Sequence, residues 1–112
     1  GGQIIPGVET MLGSLLSATS DISPVKMPLK HSVGDLKMFS RNTAAAVREG
    51  AQNAVAGAIE RAIRTLQSNG YNPTIILTGG GAPHILRALD EVPLHRPDLV
   101  LQGLAYMLEN DK

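Results

Sequence analysis

The chain has 112 residues, and its ten basic and ten acidic side chains cancel. That balance offers neither the basic face a nucleic-acid binder needs nor a like-charged interaction tail. The absence of cysteine excludes disulfides, a thiolate metal site and a cysteine nucleophile.

The apolar runs fall far short of a membrane span. The glycine-rich, uncharged start does not read as a signal peptide, so the expected compartment is cytoplasmic. The length suits one small domain over residues 1–112. Phe39, Tyr71 and Tyr106 are its only aromatics, against abundant alanine and glycine. Such a core relies on close backbone approach. The sequence opens without methionine in what reads as mid-motif, so it is expected to be the C-terminal part of a longer polypeptide.

Gly1-Gly2-Gln3-Ile4-Ile5-Pro6-Gly7 reads as an extended segment closed by a Pro-Gly turn. It is either a glycine-lined wall of a small-molecule pocket or a plain turn. Val8, Met11, Leu12, Leu15 and Leu16 recur at helical spacing and predict a helix over residues 8–18. Residues 19–38 follow no sustained period and carry Pro24, Pro28 and Gly34. They read as a surface connection, long enough to be functional or to hold short elements. His31 within it has no partner at metal-ligand spacing and reads as a surface residue.

Asn42 or Ser40 can cap a helix over residues 43–68. Val47, Ala51, Ala54, Val55, Ala58, Ile59, Ala62, Ile63 and Leu66 form its expected inner face. Gln52, Arg61 and Thr65 are expected outside. Glu60 and Arg64 are a favourable i,i+4 pair, and Gly70 suits the left-handed stop. Ala44, Ala45, Ala46 and Gly57 help keep the helix thin, so it can pack closely in a core or against a twin in a dimer. Thr43 sits at the helix start, as a capping residue or as a contact to a polar ligand.

Asn72-Pro73 marks a turn. Thr74–Leu77 then reads as a strand buried on both faces. Gly79, Gly80 and Gly81 follow, with Pro83 opening a helix over residues 83–90 that turns Ile85, Leu86 and Leu89 inward. The glycines either bring backbone N–H groups against a nucleotide or another anion, or merely turn a strand into a helix. His84 reads as solvated, with a place near the nucleotide as the alternative. Residues 92–94 can be extended. Pro97-Asp98 opens a last helix with Leu99, Val100, Leu104, Met107 and Leu108 on one face. No catalytic carboxylate pair, serine–histidine arrangement or lysine-bearing phosphate loop stands out.

Four features occur in order: the glycine-bracketed opening, Arg41-Asn42-Thr43, Thr78-Gly79-Gly80, and Asp98-Leu99-Val100-Leu101-Gln102-Gly103-Leu104. Together they resemble the C-terminal half of type III pantothenate kinase, a family that includes the Bvg accessory factor. The resemblance implies an α/β fold: a ribonuclease-H-like (actin/hexokinase-like) C-terminal domain or part of it, helix-rich with a few strands. It implies ATP-dependent phosphorylation of pantothenate to 4'-phosphopantothenate in coenzyme A biosynthesis, with Mg2+ and a monovalent cation, potassium or ammonium. It also implies a homodimer, here expected through the helix over residues 43–68.

Residue by residue, the resemblance makes Thr43 a pantothenate contact reaching across the dimer interface. Thr78, Gly79 and Gly80 become the adenosine side. Gly2, Ile4, Pro6 and Gly7 become the signature segment of the pocket wall. The family's phosphate-binding loop, general-base aspartate and cation-holding segment precede Gly1, so no catalytic or metal residue is assigned here. Gly81-Ala82-Pro83-His84 departs from the polar or acidic residue many relatives carry after the turn. The alternative is a Bvg accessory factor-like, transcription-linked protein without kinase activity. Direct nucleic-acid binding is not expected.

Overall fold

The computed structural model describes residues 1–18 and 39–111. The expected connection over residues 19–38, with His31, lies outside them. The elements are α1 (Val8–Ala18), α2 (Thr43–Ser68), β1 (Ile76–Leu77), α3 (Ala82–Leu86), β2 (Leu94–His95) and α4 (Leu99–Asn110).

α2 is the spine, and both its ends are chemically specified. At its start the Asn42 side-chain oxygen accepts the Ala45 N–H at 2.8 Å, satisfying a donor that the helix leaves open. At its end Gly70 takes φ +86°. The Gly70 N–H donates to Gln67 O at 3.0 Å and the Tyr71 N–H to Leu66 O at 3.0 Å. That bond pair is the Schellman closure, which places glycine in the left-handed position. Arg64 and Glu60 lie 3.9 Å apart on the helix surface, a pair that contributes a few tenths of a kcal/mol at this geometry.

α1 and α3 both pack on α2. Val8, Ala51 and Ile85 are the buried centre, with Met11, Leu12, Val55, Ile59, Leu77 and Leu89 against it. The buried side of α2 also takes in Ala56, Ile63 and Gln52. Gln52 is 1% exposed, against the expectation that it points outward. Ala54, Ala62 and Leu66, expected inside, are exposed. The reason is geometric: α2 is covered on two flanks by two helices, so its buried arc is rotated toward Gln52 and away from Ala54.

β1 and β2 pair in parallel, Ile76 opposite Leu94 and Leu77 opposite His95. The Leu94 N–H donates to Ile75 O and the Arg96 N–H to Leu77 O, both at 2.9 Å. α3 lies between them in the chain and is shorter than the expected 83–90 helix. Beyond it, Glu60 of α2 ties down the chain by accepting the Asp90 N–H at 3.0 Å. The Gln67 amide donates to Glu91 at 3.2 Å.

Burial of β1 on both faces is not met. Leu77 is half-buried toward the helices, whereas Ile76 is 48% exposed. In α4 the helix forms where expected, yet none of its residues is buried.

The two ends of α2 give a direct test. Asn42→Ala should lower unfolding free energy by about 1 kcal/mol, and Asn42→Asp by little, because the acceptor is kept. Gly70→Ala should lower it by about 1 kcal/mol through left-handed strain. Urea unfolding monitored by circular dichroism reads all three.

Candidate functional site

Where α1, β1 and α3 converge on α2 they leave a cavity of about 410 Å³, within the size range of small-molecule sites. Its floor is apolar: Val55 and Ile59 from α2, Leu77 from β1, Ala82 and Ile85 from α3. Its rim is polar. Gly7, Glu9 and Thr10 come from the start of α1, and Thr78, Gly81 and His84 from the glycine turn and α3. The opening segment and the strand–glycine turn, separate in sequence, thus meet around one space.

The three turn glycines are not equivalent. Gly79 adopts φ +95°, a conformation that a side chain resists, and the Ala82 N–H closes the turn by donating to Gly79 O at 3.2 Å. Gly81 sits at φ −84°, accessible to any residue. A Cβ built at Gly80 or Gly81 would meet nothing within 4 Å. Turning the chain accounts for Gly79 alone. Gly80 and Gly81 keep the approach to the rim free of side chains.

The expected site residues therefore divide. Gly7 and Thr78 line the cavity, and Gly79 and Gly80 form the turn beside it. Gly2 and Pro6 are exposed and do not line it, and Ile4 is fully exposed. Thr43 is the exposed first residue of α2. Val55 lies twelve positions further, about 18 Å along the helix axis, so Thr43 is remote from this cavity within one chain.

Sequence reasoning passed over Glu9 and Thr10 as site residues, took Gly81 only as part of the glycine turn, and preferred a solvated His84 to one near the nucleotide. It read Val55 and Ile59 as core. Helical periodicity marks an apolar face but does not say whether protein or ligand covers it.

Among the described residues, no lysine or arginine lines the cavity. Among the described residues, no three or more histidine, aspartate or glutamate side chains are grouped to hold a metal ion. No described helix is long and apolar enough to cross a membrane.

Residues 1–65 match the family described as type III pantothenate kinase. The chain belongs to that family. Relatives extend the similarity through the glycine turn and α4. A type III pantothenate kinase of Azoarcus sp. is 37% identical over 111 residues, covering 99% of this chain and 39% of that protein. One of Cupriavidus pinatubonensis is 38% identical over 109 residues, covering 96% and 39%. One of Dehalococcoides mccartyi is 30% identical over 113 residues, covering 100% and 41%. The chain thus spans about two fifths of the length of these relatives, matching a C-terminal part of the family.

The contrast within the glycine turn is measurable. Gly79→Ala should cost about 1 kcal/mol of stability. Gly81→Ala should stay within about 0.5 kcal/mol of the unsubstituted protein. Parallel denaturation curves distinguish the two.

Proposed function

We propose that this chain is the binding half of a pantothenate kinase, which transfers the γ-phosphoryl group of ATP to the pantothenate hydroxyl and yields 4'-phosphopantothenate and ADP. The observation that carries the reading is the shared cavity. Gly7 and Thr78, drawn from two motifs of the family resemblance, line one apolar-floored space. Phosphoryl transfer asks a protein for positioning and charge neutralisation more than for covalent chemistry. The chain supplies the first. An apolar floor with a hydroxyl- and carboxylate-bearing rim fits the nucleoside end of ATP. The described side chains that line the cavity do not fit a metal ion or the triphosphate, so Mg2+, the monovalent cation and the general base are assigned to the segment that the resemblance places before Gly1. The parallel β1–α3–β2 unit agrees with a ribonuclease-H-like C-terminal domain.

Thr43 belongs to the same proposal through a homodimer. Ala46, Gly50, Ala54 and Gly57 are all exposed. At about 100° per residue they and Thr43 fall within about 80° of one another on α2. That face lies opposite Gln52 and Ile59, and its lack of bulk admits a twin helix. Packing there would carry Thr43 to the partner's site, which reconciles its distance from the cavity with a pantothenate contact. The relatives named above are all called kinases, and no observation favours the accessory-protein alternative.

A coupled assay on the full-length protein should show pantothenate- and potassium-dependent ATP turnover. The 112 residues alone should show none, and turnover by them would overturn the division of labour. Thr43→Val should raise KM for pantothenate roughly five- to tenfold, the loss of one hydrogen bond. An unchanged KM removes Thr43 from the site. Ala54→Leu should dissociate a dimer through α2 while leaving the fold intact, whereas Ala51→Leu, in the core, should unfold it. Sedimentation and thermal denaturation separate these outcomes.

A further inference from the structure

Among the described residues the cavity rim carries one carboxylate, and its place defines which part of a nucleotide it can meet. Glu9 stands two residues after Gly7, in the first turn of α1, and lines the cavity together with Thr78, Gly81 and His84. A carboxylate repels a triphosphate, and among the described residues no lysine or arginine lines this cavity to offset it. The same carboxylate is a strong double acceptor for neutral hydroxyl donors. Vicinal hydroxyls of a sugar match it, just as an acidic residue meets the ribose in other nucleotide-binding folds.

The ordinary role for a glutamate in a first helical turn is to complement the helix dipole, an effect of a few tenths to about 1 kcal/mol. That role does not require the side chain to line a cavity. Glu9 is exposed at the rim of this one, beside a floor built of Val55, Ile59 and Ile85 that suits a flat base. We infer that Glu9 is a specificity residue of the nucleotide site: its carboxylate accepts the ribose 2'- and 3'-hydroxyls and makes the site select ribonucleotides. The inference rests on the reading of this cavity as the ATP site, and its test separates the two.

Binding of ATP and of 2',3'-dideoxyATP to the full-length protein is measured by titration calorimetry for the unsubstituted protein, Glu9→Ala and Gly81→Val. ATP should bind about tenfold more tightly than the dideoxy analogue, as expected for hydrogen bonds to a charged acceptor. In Glu9→Ala the ATP affinity should fall to that of the analogue, whose own affinity stays the same. Gly81→Val, unstrained at φ −84°, places bulk at the rim and should weaken both ligands alike. If Gly81→Val weakens both but Glu9→Ala leaves the ATP preference intact, the role given to Glu9 is wrong and the cavity stands. If Gly81→Val affects neither ligand, the nucleotide is elsewhere and both readings fall. A dipole role alone predicts a small stability loss in Glu9→Ala with no change in the ratio of affinities.

Discussion

Close packing at Ala51 is the constraint on which the described structure depends. Val8 of α1 and Ile85 of α3 meet over this alanine on α2, and a larger side chain there would force the flanking helices away. Both helices begin beside a glycine: α1 follows Gly7, and α3 follows Gly81. Fixing the helices on α2 therefore fixes Gly7 and the Thr78–Gly81 turn on opposite banks of one cavity. The site is a consequence of core packing, assembled from two segments about seventy residues apart in sequence. Interiors packed to crystal-like density transmit such positions faithfully.

Local chemistry explains what was legible in the sequence. Asn42 and Gly70 bracket α2 because a cap and a left-handed stop are decided by neighbouring residues. The 8–18 helix follows from its apolar spacing in the same way. The opposite holds for Gln52, Ala54 and Ile76. Whether each is buried depends on what packs against it from a distant part of the chain. Apolar periodicity put the buried face of α2 on the side of Ala54. Flanking by α1 and α3 moved it toward Gln52. For the site, the glycines and Thr78 were legible as a turn chemistry. Glu9 was not, because a glutamate in a first helical turn already has a sufficient local reason to be there.

The uncovered apolar groups have a related origin. Val100, Tyr106 and Leu108 of α4 are each at least 66% exposed, and Ile76 and Leu94 form an exposed pair across the parallel strands. A sequence pattern records every contact for which a protein is selected, within this stretch or beyond it. The described structure shows only the contacts that residues 1–18 and 39–111 make with one another. The relatives are about two and a half times as long as this chain, so their corresponding faces have much more protein available to meet them. The same reasoning separates Thr43 from Gly7. Both stand in the family resemblance, but Gly7 acts within the packing unit around Ala51 and is placed by it. Thr43 is the exposed first residue of α2, and that packing unit does not place it.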